Sequence, residues 1–193
     1  MFRRLLNLLC SLRFLPHLFV YYSSARSLRA LLDYERDRWL EKNGFSQTGV
    51  RGFLRLLNMF PEYRSLFYHR TGKQNLSIFA VGQTNLHFHT PSEKIGRGLV
   101  IWHGYSTVIN AVSVGEDCEI WHLVTVGKKH TKPDELDKPI IGDKVKLCTG
   151  AICIGAIEIA RESIVAAGAV VNQNVPERFL AYGVPAKIRE KGI

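Results

Sequence analysis

The chain has 193 residues, 46% of them hydrophobic, with 26 Lys and Arg against 17 Asp and Glu for a formal net charge of +9. That length holds one domain, or one with a small appendage, and is enough for a proper core. The basic residues are spread along the chain without a nucleic-acid-binding motif, so the charge points to an anionic small ligand or a membrane surface and not to nucleic acid.

The first 22 residues, MFRRLLNLLCSLRFLPHLFVYY, begin basic and continue apolar, as a signal peptide does. Arg13 and Pro16-His17 interrupt the apolar stretch, however, and no small-residue cleavage site follows Tyr22. The run also falls short of the roughly 20 consecutive apolar residues that a membrane span requires. The expectation is a helix that buries Leu5, Leu6, Leu9 and Leu12 against the rest of the protein or a partner subunit. Peripheral membrane contact through the basic flank Arg3, Arg4 and Arg13 is the second reading. Next, Leu28, Leu31, Leu32, Tyr34 and Trp39 interleave with Arg26, Arg29, Asp33, Glu35, Arg36, Asp37 and Arg38, a mixed-charge amphipathic helix. A further helix is expected from Gly52 to about Phe60, where Pro61 ends it, and another from Pro61 to His69, ended by Thr71-Gly72. Residues 1–80 thus read as an α-helical segment for oligomerisation or membrane-peripheral contact.

From about residue 87 to 177 the texture changes to a six-residue beat: Ile141, Leu147, Cys153, Ile159, Val165, Val171. Four residues after each comes a second small or branched one: Val145, Ala151, Ile157, Ser163, Ala169, Val175. The pattern holds upstream at Val108, Val114, Ile120 and Val126, and Ile95 and Ile101 continue it with a one-residue slip before Val108. A period of six fits neither a 3.6-residue helix nor a lone strand, but it fits a triangular β-solenoid whose every flat side uses one hexapeptide. The first residue of each hexapeptide should point into the shared interior and the fifth should be small enough for a corner. No Asp, Glu, Lys or Arg occupies those positions. Residues 81–193 therefore read as a mainly β solenoid domain with a C-terminal tail, 178–193.

Between Val126 and Ile141 the beat is interrupted by GKKHTKPDELDKPI, a polar loop (127–140) that must leave the coil and return. Such loops on a rigid scaffold are where binding groups tend to sit. Of the four cysteines, Cys10, Cys118, Cys148 and Cys153, none has metal-site spacing, and Cys118 and Cys153 fall on beats where a small buried residue is expected. A reducing, cytoplasmic location follows, with contact to the inner face of the membrane as its variant.

The runs IGRGLVIWHG (95–104), VTVG (124–127), KPIIGDKVKLCTGA (138–151), AAGAVV (166–171) and YGVPAK (182–187) resemble the left-handed β-helix acyltransferases, above all the serine acetyltransferases and the related sugar O-acetyltransferases of surface-polysaccharide synthesis. The resemblance is strong over the last hundred or so residues. It implies a left-handed parallel β-helix, a homotrimer or dimer of trimers, and acetyl-CoA lying in clefts between subunits, with no metal. His103 matches the family's catalytic histidine and would act as general base. The small residues Thr149, Gly150 and Ala151, with Ala167 and Gly168, would let a pantetheine arm approach the backbone; Gly127 would do the same at the loop entrance. Lys187 and Arg189 would meet the CoA phosphates.

The sequence departs from the family where serine would bind. An aspartate fifteen residues before the catalytic histidine is replaced by Phe88, a second directly before it by Trp102, and an Arg-His pair by Asp137-Lys138. Without those carboxylates a serine ammonium would lose its partners. The expected acceptor is therefore a hydroxyl on a sugar or polysaccharide precursor, contacted by Trp102, Tyr105, His89, His130 and Lys138. Serine itself, in cysteine biosynthesis, is the alternative. Two other classes are a γ-type carbonic anhydrase-like zinc protein, for which His87 and His122 are placed but the further histidine would fall at Gly127, and an inactive scaffold.

Overall fold

The structure, a computed structural model, describes residues 11–129 and 137–191. Leu5, Leu6, Leu9 and Cys10 of the expected first helix, and His130 of the loop, lie outside the described residues. The chain divides into two compact units, Met1–Gln83 and Thr84–Ile193.

The first unit contains α1 (Leu15–Ser23), α2 (Arg26–Lys42), α3 (Gly49–Met59) and α4 (Pro61–Thr71). Pro16 sits in the first turn of α1, where a missing N–H leaves no helical bond unmade. Pro61 separates α3 from α4 in the same way, and Gly72 closes α4 in the left-handed region at φ +65°. Two boundaries differ from the sequence reading: α3 starts at Gly49, and α4 runs on past His69 to Thr71. Trp39, Phe53, Tyr63 and Phe67 form an edge-to-face aromatic core, with Trp39–Tyr63 and Phe53–Phe67 ring centres both 5.4 Å apart. The charged alternation of α2 is not all solvated. Glu35 is buried, and the Arg70 guanidinium donates to its carboxylate at 2.6 Å. His17 is fully buried beside Tyr68, 2.8 Å from its hydroxyl; because that hydroxyl donates to the Ala80 carbonyl, His17 Nε2–H is the donor to it. Leu12, expected to be buried, is instead half exposed within the chain, as are Leu15, Phe19 and Tyr22. Among the described residues no helix is long and apolar enough to cross a membrane.

The second unit is a coil of short strands. After β1 (Leu86–Phe88), the first turn contains β2 (Val100–Trp102), β3 (Thr107–Ile109) and β4 (Ser113–Val114). The second contains β5 (Glu119–Trp121), β6 (Thr125–Gly127) and β7 (Ile140–Ile141); the third, β8 (Lys146–Leu147), β9 (Ile152–Ile154) and β10 (Glu158–Ile159). β11 (Ile164–Val165) and β12 (Val170–Val171) follow, and β13 (Phe179–Tyr182) and β14 (Lys187–Glu190) close the end as an antiparallel hairpin. Strands one turn apart pair in parallel and make three flat sides, ordered β1-β3-β6-β9-β12, β4-β7-β10 and β2-β5-β8-β11-β13-β14. Ile120, Val126, Ile141, Leu147, Cys153, Ile159, Val165 and Val171 are all buried along the axis, as the beat requires. A second strict requirement appears at one edge, where Gly96, Gly115 and Gly142 stack. A Cβ at Gly115 would lie 2.5 Å from the Asp143 nitrogen, and one at Gly142 would lie 2.8 Å from the Arg161 nitrogen.

The first turn departs from the expected phase. Val108 pairs with Thr125 on the outward face, and Ile109, fully buried, takes the interior position opposite Val126. From Ile101 to Ile109 the chain needs two more residues than from Ile120 to Val126, and both lie in the segment that begins at His103. What reads in the sequence as a one-residue slip is thus a longer corner.

Candidate active site

Each turn passes from the β2-β5-β8-β11 side to the β3-β6-β9-β12 side through a corner: residues 103–106, 122–124, 148–151 and 166–169. The corners stack by backbone hydrogen bonds. The N–H of Leu123 donates to the Tyr105 carbonyl at 3.1 Å, that of Gly150 to His122 at 3.0 Å, and that of Gly168 to Thr149 at 2.9 Å. Each corner has left-handed residues: His103 (φ +56°), Ser106 (+51°), Leu123 (+60°), Gly150 (+70°) and Gly168 (+68°). Gly150 and Gly168 adopt this conformation freely; His103 and Leu123 hold it against sterics, as Asp117, Lys144 and Glu162 do at another corner of the coil.

Most of the residues singled out from sequence come together on this one edge. His103 and Tyr105 are exposed in the first corner, Trp102 ends the strand before it, and Thr149, Gly150, Ala167 and Gly168 line the corners that stack on it. Ala151 differs: it is fully buried, its N–H donates to Cys148 and its carbonyl accepts from Thr125, so it supports the turn and offers a ligand nothing. His89, Gly127 and Lys138 form a second group at the opposite end of the β3-β6 side, where His89 follows β1 and Gly127 ends β6. Gly127 is itself buried, and among the described residues no heavy atom lies within 4 Å of a Cβ built on it. Lys187 pairs with Tyr182 at the corner end of the closing hairpin, while Arg189, opposite Leu180, lies further off with its guanidinium 5.4 Å from the Tyr182 ring centre. Phe88 pairs with the buried Ile109 and so belongs to the interior-facing column.

Four residues that the sequence reading did not assign to this site sit within it. His122 stands one turn above His103, ring centres 6.1 Å apart and edge to face, and stacks on Tyr105 at 4.7 Å. Trp121 lies beside Trp102 at 6.1 Å, and the Trp102 indole N–H donates to the buried Glu119 carboxylate at 3.0 Å. Lys146 Nζ, 3.7 Å from the other Glu119 oxygen, neutralises that buried charge. The signal was present as a repeat, IWHG at 101–104 and IWHL at 120–123, one coil apart. Burial pushes the nearby Cys148 thiol above its ordinary range, which keeps it protonated and poorly nucleophilic. Among the described residues no group of three or more His, Cys, Asp or Glu is placed to hold a metal, so the zinc reading finds no site there.

An exposed imidazole beside a rail of small residues on a repeating parallel coil is the arrangement of a hexapeptide-repeat acyltransferase. No family model matches the chain. It is 37% identical over 122 residues to the serine acetyltransferase of Salmonella typhimurium, covering 61% of this chain and 44% of that protein. The serine acetyltransferase of Neisseria gonorrhoeae superposes with a TM-score of 0.67 at 22% identity over 90% of this chain and 70% of that one. A serine acetyltransferase in complex with CoA has a TM-score of 0.57 at 22% identity, over 88% of this chain and 72% of that one. The chain spans about half the length of the curated relatives it matches. Over its solenoid the chain is similar to the serine acetyltransferases, and its fold is the left-handed parallel β-helix of those structures.

Proposed function

We propose that this chain is an acetyl-CoA-dependent O-acetyltransferase. The observation that carries the reading is His103, exposed on an edge whose neighbouring corners present Thr149, Gly150, Ala167 and Gly168. Small residues there leave room for an extended pantetheine arm, and Lys187 at the corner end of the hairpin would meet CoA phosphate. His103, neutral, takes the proton of the acceptor hydroxyl while that oxygen attacks the thioester carbon. The C–S bond then breaks, and the imidazolium returns the proton to the departing thiolate, so that CoA leaves as the thiol and the acceptor as its acetyl ester.

Free serine is the acceptor that the relatives' names support, and none of those reported names a sugar. The sugar reading therefore stands second, on one specific observation: the Trp102–Trp121 pair, anchored by Glu119, occupies the position directly before His103. The assembly is read as a homotrimer or a dimer of trimers, and the split of the assigned residues supports a site shared between copies. His103 and the small-residue corners lie at one end of the β3-β6 side and His89, Gly127 and Lys138 at the other, so a second copy would have to bring the two groups face to face. The exposed row Leu12, Leu15, Phe19 and Tyr22 is read as an assembly surface; vesicle binding by this row would replace that reading with peripheral membrane contact.

The experiment is CoA-thiol release from acetyl-CoA with millimolar L-serine, by wild type and by His103→Ala. Acetyl-CoA-dependent, His103-dependent release supports the proposal, and absence of release with serine and with nucleotide sugars overturns it.

A further inference from the structure

Within the active edge one polar atom has no explanation in the acetyl-transfer reading so far. Nδ1 of His122 is buried and has no hydrogen-bond partner among the described residues. Buried polar atoms are almost always paired, and an orphan in a native fold calls for a ligand, a water or a strained role. The surroundings of this ring favour a ligand. One face of His122 is stacked on Tyr105, at 4.7 Å and 24°. Its ring meets His103 edge to face, at 6.1 Å and 65°. Its backbone carbonyl is tied to the N–H of Gly150, in the corner read as the pantetheine track. The residue therefore packs against the proposed general base and its aromatic neighbour and is bonded through its backbone to the proposed cofactor turn, and its buried Nδ1 is unspent.

We propose that His122 is a specificity-determining residue of this site, whose Nδ1 hydrogen-bonds a polar group of the hydroxylated acceptor while its ring holds Tyr105 and the His103 imidazole in place. The acceptor is the fitting partner, because His103 must reach the acceptor hydroxyl and His122 is packed against His103. A site built to pair a substrate polar group discriminates strongly against losing that pair, because the buried atom is then left unsatisfied. The inference rests on the acetyltransferase reading, and it concerns which residue selects and holds the acceptor.

The test uses the full chain with acetyl-CoA and two acceptors, L-serine and UDP-N-acetylglucosamine, in steady-state kinetics with the wild type, His122→Leu and His122→Gln. Leucine keeps apolar bulk and removes the ring nitrogens; glutamine restores a donor and an acceptor. For the acceptor that wild type turns over, His122→Leu should lower kcat/KM by roughly 10²-fold, chiefly through KM, with acetyl-CoA affinity by calorimetry within about threefold of wild type. His122→Gln should recover most of that loss. If wild type transfers acetyl but His122→Leu keeps its acceptor kcat/KM, this inference fails alone and the acetyltransferase reading stands. Equal losses in the leucine and glutamine variants, or a loss carried by acetyl-CoA affinity, would also overturn it. No transfer by wild type to either acceptor overturns both.

Discussion

His103 is exposed on a backbone that L-residues rarely adopt, at φ +56°. A left-handed non-glycine residue costs on the order of 1–3 kcal/mol, and the corner holds that conformation as its shorter counterpart one turn on does at Leu123. Function and stability should therefore separate at this position. Asparagine tolerates the left-handed region better than most side chains, so His103→Asn should melt at or above the wild-type temperature in calorimetry. Its kcat should nevertheless fall by roughly 10²-fold to 10⁴-fold, the usual contribution of a general base, with acetyl-CoA binding intact. A variant that keeps wild-type turnover removes His103 from the chemistry. Next to it, Glu119 is the carboxylate that reaches position 102: it comes from the adjacent strand and is spent on the Trp102 indole and on Lys146. That is why a search along the chain for an aspartate beside His103 finds tryptophan and misses the acid.

Among the helices, the buried groups that no periodicity reveals decide the stability of the first unit. Burial, reinforced by Arg64 and Arg13, lowers the pKa of His17 to about 4 from the ordinary 6.5. The unfolded chain thus binds a proton between those two values that the folded chain refuses. Stability rises with pH across that window and is lost as pH falls from about 6.5 toward 4. Urea titrations at pH 7 and pH 4.5 should show this loss in wild type and a smaller one in His17→Phe; equal losses would show that other groups set the acid limit. Glu35 is the second case. With its carboxylate removed in Glu35→Ala, the Arg70 charge stays buried, and unfolding free energy should drop by about 3–5 kcal/mol in the same titration. His17 reads as an interruption of an apolar stretch and Glu35 as one charge of an amphipathic helix, because sequence shows charge but not the cross-helix partner that permits its burial. The solenoid was legible for the opposite reason. Its six-residue period is local, and Ile141, Leu147, Cys153, Ile159, Val165 and Val171 declare the interior without reference to anything distant. Its phase differs around Val108, where the longer corner resets it and Ile109 turns inward.

At the scale of the whole molecule, one edge of a three-sided coil collects His103 and the small-residue corners, and the proposed reaction has two candidate hydroxyls. The relatives named for serine have the fold and about a third of the sequence, which weighs toward serine. Against it stand Phe88 in the interior-facing column and the tilted indole pair Trp102–Trp121, neither of which supplies a carboxylate to pair a substrate ammonium. The two readings give opposite kinetics. If serine is the acceptor, its kcat/KM should reach about 10⁴ M⁻¹s⁻¹ or more, the ordinary enzyme range, and groups such as Lys138 from a neighbouring subunit must supply the missing contacts. Light scattering should then find a trimer or its multiple, and a dissociated chain should lose the activity. A stable monomer that acetylates serine at full rate would contradict the shared site. If serine is turned over orders of magnitude below that range while UDP-N-acetylglucosamine is turned over within it, the indoles are the acceptor platform. Trp102→Ala should then abolish the preference by removing a stacking face of the kind worth about 1–3 kcal/mol in aromatic recognition of flat ligands. Expecting serine, we predict that Trp102→Ala changes its kcat/KM by less than about tenfold; a larger loss on serine would mean that the indole holds the amino acid directly and that the family's carboxylate contacts have been replaced by an aromatic one.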